Sequence, residues 1–551
     1  MYIRRVTRKN KNSTVAYLQL AHNEWDAKAK HAKAKVIYSF GREDQLDREI
    51  LERLVKSISR FLTPEEAFRV QEGIGETAEF LFQSSRRLGG SWTLFQLWQK
   101  LGLDAILQSL LKDRRHETNI ERLIFAMVAN RALSPSSKLG MEDWVKMDTY
   151  IPELEEVRSH QLYRAMDLLL EHRAEIEKQV YYAVSDLLNL EVDLIYFDTT
   201  SSYFEVHEED VPDDDHFRKR GYSKDHRTDV VQTVIGLAVT REGIPIRCWS
   251  WPGNTSDMHV VQEVKNDLVG WKLGRVIHVS DRGFASEENL RYLQRAGGHY
   301  IVGERMNKTD AKHALGTKGR YHHVRDNLQV KDITIGNGEA RKRYVLVYNP
   351  KEAKRQKENR EAIIERLKEE LNGLKQLSGS IHTKAACHLH AHKTYGKYLR
   401  QLKDGTLKIH QMAIREAEKT DGKYILRTSD DTLSAEDVAL GYKQLLEVED
   451  AFRTLKSTLH LRPMYHRLQE RIQAHILLNW LALLLVRIAE TQTRETWPTL
   501  RDELERMHVG HFTSKNGEVL QRSEPTTKQL KILDTLGIKV PNRFLDIAPK
   551  P

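Results

Sequence analysis

The stretch DLIYFDTTSSYFE, residues 193–205, decides the fold. It contains a short apolar run, typical of a buried strand, that ends at Asp198. Two more strand-like runs follow, VVQTVIGLAVT (230–240) and GIPIRCWSWPGN (243–254), with glycine and proline marking their ends. The three runs predict consecutive strands of an antiparallel meander.

Beyond this meander, the spacing of apolar residues alternates between helical and strand periods. Residues 258–271 and 286–298 predict amphipathic helices, whereas RVIHVSD (275–281) and HYIVGER (299–305) predict strands. Helices that alternate with strands beside an antiparallel meander indicate an α/β core with a mixed sheet.

The strand pattern breaks off after residue 307 and resumes at KYILRTSD (423–430). Residues 308–420 are therefore predicted to be an insertion into the α/β core. The turn residues Asn337 and Gly338 predict a hairpin within it. The highly charged segment 351–377 predicts a solvent-exposed helical arm.

The residues before the core have two patterns. Polar and apolar positions alternate over the first forty residues, as in VAYLQLA and KVIYSFG, and predict a β-hairpin with a basic rim. Residues 43–190 carry apolar residues at spacings of three and four, which predicts a mainly helical region. This region is either a DNA-reading unit or a helical scaffold, because no segment has a base-reading signature.

Composition excludes several classes of protein. A chain of 551 residues is too long for one core, and 40% hydrophobic with 30% charged residues is unlike a disordered chain or a membrane bundle. Its two cysteines cannot form a disulfide framework or a four-thiolate zinc site, which fits a reducing cytoplasm. The first ten residues have no apolar signal region. The longest apolar stretch, 476–488, is interrupted by Asn479 and Arg487 and predicts a core helix rather than a membrane span.

Three acidic residues lie on predicted core elements. Asp198 and Asp281 each follow an apolar strand-like run, and Glu449 lies in a helix predicted from Ser434 to Leu459. An acid in such a place turns outward, because burying an unpaired carboxylate is costly. Any one of them alone is more often a strand-end cap or an ordinary surface charge than a catalytic group.

The predicted helix around Glu449 places its charges in a definite order. At 100° per residue, Tyr442, Glu449 and Lys456 fall along one edge of the apolar stripe. Glu447 falls on the opposite edge, and Asp450 points to solvent. Glu449 is thus placed to face a strand-end site, unless this edge is simply a solvated one.

As an ordered set, these residues resemble insertion-sequence transposases of the DDE class. The chain is most similar to the bacterial branch with the signature Tyr-x2-Arg-x3-Glu-x6-Lys, which here contains Tyr442, Glu449 and Lys456 with Leu445 in the arginine position. The first acid lies in YFDTTSSYFE and the second in HVSDRGF. The stretch GYSKDHRTDVVQTVIGLAVTREGIPI between them is also similar to that branch.

The resemblance implies an α/β fold with a ribonuclease-H-like mixed sheet flanked by helices. The patterns described above add a mainly helical N-terminal region and an insertion between the second and third acids. The expected divisions are an N-terminal β-hairpin (1–42), a helical DNA-binding or dimerisation region (43–190), a first part of the catalytic core (191–307), an insertion (308–420), a second part of the core (421–490) and a helical C-terminal tail (491–551).

The resemblance further implies a DNA transposase that cuts at the terminal inverted repeats of its element and joins the 3′ ends to target DNA. Asp198, Asp281 and Glu449 would hold two Mg²⁺ ions roughly 3.5 to 4 Å apart, with Mn²⁺ as a substitute. The expected partners are double-stranded DNA and a second copy in a synaptic complex, in the bacterial cytoplasm at the nucleoid and without a membrane. The alternatives are a ribonuclease-H-like nuclease without strand transfer and an inactive DNA-binding derivative.

The DNA contacts follow from the same resemblance. Tyr442 and Lys456 belong to the signature, and Arg453, four residues after Glu449, is suggested to substitute for the missing arginine. Lys224 and Arg227 either contact DNA near the site or are ordinary surface charges.

Three other groups of residues suggest a site but have simpler explanations. The cluster His382, Cys387, His388, His390 and His392 has only one thiol and is expected to be a polar helix surface. The acidic run 208–215 lacks the glycine and the final glutamate of a calcium loop and is expected to be a solvated loop. Trp249 and Trp251 are expected to be packing residues.

Overall fold

The computed structural model describes residues 1–10, 13–26, 31–46, 53, 57, 80–111, 119–188, 194–205, 216–269, 276–514 and 517–549. The chain divides into two compact units. The first contains Met1–Gln83, His511–Val519 and Asp546–Pro551, and the second contains Ser84–Gly510 and Leu520–Leu545.

The first unit contains a three-stranded antiparallel sheet in the order β1-β2-β3. Its strands are β1 (Tyr2–Asn10), β2 (Ser13–Asp26) and β3 (His31–Arg42). The hairpin expected for residues 1–42 therefore has one strand more than predicted. The strand that the pattern missed is β1, because basic residues occupy many of its positions and weaken its apolar alternation.

Helices dominate the described residues from 84 to 188. A strand, β4 (Leu81–Arg87), precedes them, where polar and basic residues replace the helical spacing expected for this region. The helices are α1 (Gly89–Lys100), α2 (Leu103–Leu111), α3 (Ile120–Leu133), α4 (Gly140–Asp143), α5 (Ser159–Glu171) and α6 (Arg173–Leu188). The helices predicted between residues 47 and 79 lie outside the described residues, apart from Arg53 and Ser57.

The second unit is organised around a nine-stranded sheet. Its central part has the order β9-β8-β5-β6-β7, in which β5, β6 and β7 are antiparallel and β8 and β9 run parallel to β5. These strands are β5 (Leu194–Tyr203), β6 (Gln232–Val239), β7 (Pro245–Pro252), β8 (Ile277–Ser280) and β9 (His299–Glu304). The helices α7 (Asp257–Val269) and α8 (Glu287–Gln294) connect the later strands. This arrangement confirms the expected ribonuclease-H-like mixed sheet.

The sheet continues beyond β9 with strands from the predicted insertion. After α9 (Thr309–Gly316) come β10 (His322–Arg325), β11 (Leu328–Ile335) and β12 (Lys342–Tyr348). They are joined to β9 through β15 (Lys423–Thr428), in the order β10-β11-β12-β15-β9, and every pair is antiparallel. The predicted hairpin is therefore a part of the main sheet and not a separate body.

The remainder of the insertion has a small core of its own. This part of the insertion consists of α10 (Pro350–Leu374), α11 (Gly379–Ala391), β13 (Leu399–Gln401), β14 (Leu407–Ile409) and α12 (Gln411–Thr420). Leu367, Leu374, Leu389 and Leu399 form the buried apolar cluster of this core. Most other positions of α10 are exposed and charged, in agreement with the arm that the charge pattern predicts.

The next three helices after the last strand of the main sheet lead from Ala435 to Thr493. They are α13 (Ala435–Lys443), α14 (Leu446–Arg453) and α15 (Gln469–Thr493). Among the described helices, α15 alone is long and apolar enough to cross a membrane, yet 89% of its most apolar window is buried inside the protein. It packs against α3, all of whose residues are buried, and against α5. The prediction of a core helix is consistent with this packing.

The segment 491–551 contains strands as well as helices, so the expectation of a helical tail is wrong. The elements are α16 (Trp497–Leu504), β16 (His508–Ser514), β17 (Gly517–Arg522), α17 (Thr527–Thr535) and β18 (Phe544–Pro549). The runs HVGHFTS and GEVLQR contain Val509, Phe512, Thr513 and Val519, residue types that favour strands over helices.

Candidate active site

Asp198 lies in the middle of β5 and not at its end. The polar run TTSSY after it continues the strand to Tyr203, because those residues pair with β6. On the other side, β5 pairs with β8 only from Leu194 to Tyr196. Asp198 therefore lies just beyond the last paired residue on that side, where its side chain is 22% exposed.

The surroundings of Asp198 make its charged form unfavourable. Burial raises the pKa of Asp198 to about 6, against the favourable charge of Lys224. The carboxylates of Asp257 and Asp281 raise the pKa further. Asp198 is thus one of several like charges in a partly buried place, where a bound cation would be stabilised.

Asp281 directly follows β8, as the apolar run before it predicts. Its carboxylate accepts a hydrogen bond of 3.1 Å from the Tyr442 hydroxyl at the end of α13. Burial, and then the charge of Asp281, raise the pKa of Tyr442, so the phenol remains a proton donor at neutral pH. Tyr442 therefore joins the helical segment after β15 to the end of β8.

Glu449 lies on α14, but the helix expected from Ser434 to Leu459 is broken. Its first part, α13, ends at Lys443, and α14 begins at Leu446 and gives way to a wider π-helical turn after Arg453. Despite this break, Tyr442 and Glu449 line the same cavity as Asp281, with a volume of about 860 Å³. Tyr442 and Glu449 therefore share a cavity although the helix is not continuous, whereas Lys456, predicted on the same edge, does not line it.

The two acids next to Glu449 point elsewhere. Glu447 pairs with Arg487 of α15 at 2.7 Å, away from the cavity. Asp450, expected to face solvent, is half-buried and pairs with Arg453 at 2.8 Å.

Asp281 is the acid that relates the other two predicted acids to each other in the structure. Asp198 and Asp281 interact electrostatically, and Asp281 and Glu449 line one cavity, whereas Asp198 is not among the residues that line it. Among the described residues, no three His, Cys, Asp or Glu side chains are gathered into a metal-binding group. The oxygen donors and the raised pKa of Asp198 nevertheless fit a hard divalent cation.

Lys224 and Arg227, both predicted to contact DNA, have different partners. The Lys224 ammonium lies 3.5 Å from Asp198 and donates hydrogen bonds to the carbonyl and hydroxyl oxygens of Thr199 at 2.6 and 2.8 Å. Arg227 pairs with Asp229 at 2.8 Å and lies over the Tyr203 ring. Lys224 is therefore a neighbour of the first acid, while Arg227 remains on the protein surface.

The other two predicted cations differ in their exposure. Lys456 is 13% exposed and pairs with Asp225 at 2.7 Å, and Arg462 pairs with the same carboxylate. Burial lowers the pKa of Lys456. Arg453 is 69% exposed. Arg453 is thus open to solvent, whereas Lys456 is held inside the protein.

Sequence reasoning did not select Asp225 or Asp257. Asp257 is the first residue of α7, where an acid is common because it complements the helix dipole. Asp225 lies in a loop that carries several charges. Neither position differs from an ordinary surface acid in the sequence, except that Asp225 follows Lys224 in a stretch that resembles the transposases.

The other candidate groups have simple environments. The histidine cluster lies on and just after α11, which is largely exposed, and His392 accepts hydrogen bonds from the backbone of Thr394 and Tyr395. The indoles of Trp249 and Trp251 are buried and stacked at 6.3 Å between centroids, which agrees with the predicted packing role. The acidic run 208–215 lies outside the described residues.

Comparison with known proteins yields two family matches. Residues 198–485 match the sequence model of the transposase DDE domain, and residues 3–67 match that of the IS1634 family transposase N-terminal domain. Among solved structures, the chain is similar to a piggyBac transposase in a cryo-EM structure of its synaptic complex with hairpin DNA. The identity is 10% and the TM-score 0.35, over 75% of this chain and 78% of that chain. No curated protein matches the sequence. The first family match covers more than half of the chain and includes all three predicted acids.

Proposed function

Since this chain belongs to the transposase DDE domain family, we propose that it is the transposase of an insertion sequence. It binds the terminal inverted repeats of its element, cleaves phosphodiester bonds there and joins the freed 3′ ends to target DNA. The observation that carries this proposal is the electrostatic proximity of Asp198 and Asp281 beside a cavity that Glu449 also lines.

The three acids are proposed to hold two Mg²⁺ ions, for which Mn²⁺ would substitute. Bound there, the ions supply activation of the attacking oxygen and stabilisation of the leaving oxygen. The protein's own part is to present oxygen ligands. Tyr442 orients Asp281 through its hydrogen bond, and α14 directs Glu449 toward the cavity. The proposal requires that oxygens of Asp198, Asp281 and Glu449 serve one cluster of two ions.

Cations around the same cavity are suited to DNA phosphates. Arg282, Arg305 and Lys443 line it together with Asp281, Glu304 and Glu449. Arg453 and Arg227 are exposed cations of the same unit and are proposed to contact the DNA backbone. Lys456 is proposed instead to act inside the protein, because Asp225 already neutralises it.

The rest of the chain is proposed to hold DNA in a synaptic complex. Residues 43–190 and the basic insertion 308–420 would grip the DNA, and two copies of the protein would bridge two ends of the element. The bacterial cytoplasm, at the nucleoid, is the proposed location.

The test uses labelled duplexes taken from the DNA that flanks the reading frame, incubated with the full-length protein and Mg²⁺. Nicked ends and joined products are expected. Asp198→Asn, Asp281→Asn and Glu449→Gln should each abolish both products while retaining binding in a gel-shift assay. Cut ends without joined products would favour a nuclease. If the wild type binds the DNA without cutting it, an inactive DNA-binding derivative would be favoured.

A further inference from the structure

We infer that Lys224 is an internal cation that competes with the metal for Asp198, and that Asp257 positions it. This inference rests on the proposed metal-binding role of Asp198 and assigns new roles to two neighbours of that residue. Both are positioning residues, since they act through Asp198.

Four oxygen atoms surround the Lys224 ammonium. The carbonyl and hydroxyl oxygens of Thr199 accept its hydrogen bonds at 2.6 and 2.8 Å. One oxygen of Asp198 and one of Asp257 each lie 3.5 Å from it. A ring of carboxylate, carbonyl and hydroxyl oxygens is also the environment that hard cations occupy in proteins. The Lys224 ammonium therefore occupies a position whose oxygen neighbours would also suit a hard cation.

Asp257 is a second carboxylate, besides Asp198, that lies close to the Lys224 ammonium. One oxygen of Asp257 accepts a hydrogen bond from the Thr199 hydroxyl, and its other oxygen faces the Lys224 ammonium. The ammonium is thus shared and does not neutralise Asp198 alone. Asp257 also adds negative charge close to Asp198, because both carboxylates lie 3.5 Å from the same ammonium.

The loop that carries Lys224 is held firmly in place. The backbone N–H of Lys224 donates to the Ser201 hydroxyl at 2.9 Å. A side chain at Gly221 would approach the Gly253 carbonyl oxygen to 2.2 Å, so the two chain segments are in close backbone contact. The position of the ammonium therefore follows from the fold and not from a chance rotamer of an exposed lysine.

The two residues should have opposite effects on metal affinity. Removing the ammonium leaves Asp198 and its acidic neighbours without a counter-charge, so a divalent cation binds more tightly. Without the charge of Asp257, the Lys224 ammonium pairs with Asp198 alone. The negative potential around Asp198 is also reduced, so a divalent cation binds more weakly. A merely structural role for either residue would weaken binding in both variants.

The test is a titration of the full-length, DNA-free protein with Mn²⁺, in which free Mn²⁺ is measured by electron paramagnetic resonance. Lys224→Met should tighten Mn²⁺ binding about tenfold and Asp257→Asn should weaken it about tenfold, since one charge a few ångströms away shifts affinity by at least this much. Lys224→Arg keeps the charge and should remain close to the wild type. Lys219→Met removes the same charge from the same segment and should change the affinity less than about twofold.

The outcomes separate this inference from the proposed function. Unchanged or weakened Mn²⁺ binding in Lys224→Met would overturn the inference alone, provided that Asp198→Asn abolishes binding in the same assay. If the wild type shows no binding that depends on Asp198, both the inference and the proposed metal site fall. DNA cleavage is not needed for either conclusion.

Discussion

Replacing Asp225 by asparagine should loosen the helical segment that carries Glu449. Asp225 pairs with Lys456 at 2.7 Å and also with Arg462, and its side chain is only 9% exposed. Lys456 lies seven residues after Glu449, in the turn that directly follows α14. The substitution removes the counter-charge that two largely buried cations share.

The size of the effect follows from the burial of this group. Removing one partner of a buried ion pair costs about 3 kcal/mol, because a desolvated charge remains without compensation. Asp229→Asn in the same loop is the matched control. Its partner Arg227 is 39% exposed and Asp229 is 62% exposed, so this pair should contribute about 0.5 kcal/mol.

Hydrogen–deuterium exchange of peptides covering residues 446–458 measures the local free energy of opening. Asp225→Asn should speed exchange there about a hundredfold, which corresponds to the loss of about 3 kcal/mol. Asp229→Asn should change it only slightly. Equal exchange in the two variants would refute the claim that Asp225 holds this segment.

Three further predictions concern activity, DNA binding and stability. Glu449→Gln should abolish cleavage and retain binding to DNA ends, whereas Glu447→Gln should cleave normally; an inactive Glu447→Gln variant with a normal fold would mean that the wrong glutamate has been assigned. Arg453→Met should reduce the slope of log binding constant against log salt by about one phosphate contact, and Lys456→Met should leave the slope unchanged, as measured by filter binding over a salt series. Burial lowers the pKa of Lys138 to about 7 in the folded protein. Between this pKa and the higher pKa of a lysine in the unfolded chain, the unfolded chain binds more protons than the folded protein. The free energy of unfolding therefore rises with pH in this range. Urea unfolding at pH 7 and pH 9 should show this rise in the wild type and a smaller rise in Lys138→Met.

The α/β core and the face of Glu449 could be predicted because buried residues carry the signal. The strand-like run RVIHVS ends immediately before Asp281, and the strand does end there. The apolar stripe beside Glu449 survives the break between α13 and α14, so Tyr442 and Glu449 line one cavity although the helix is not continuous. Patterns of this kind depend on the period of one element and need no knowledge of its neighbours.

What could not be predicted depends on contacts between distant segments. Asp198 lies inside β5 because the polar residues after it pair with β6, and no local pattern specifies this. Lys456 has the spacing of a DNA contact, yet Asp225, more than two hundred residues earlier, neutralises it. Asp257 has the appearance of an ordinary first residue of a helix until Lys224 and Thr199 are placed beside it.

The pairing of β12 with β15 has a practical consequence for chimeric proteins. Excising the whole of residues 308–420 would strip β15 of its outer neighbour and leave a bare row of backbone donors and acceptors, a site for aggregation. A transplant between relatives should instead cut near residues 350 and 420, because the helical arm between them brings its own small apolar centre. Such an exchange would leave all nine strands intact and make the arm a replaceable module.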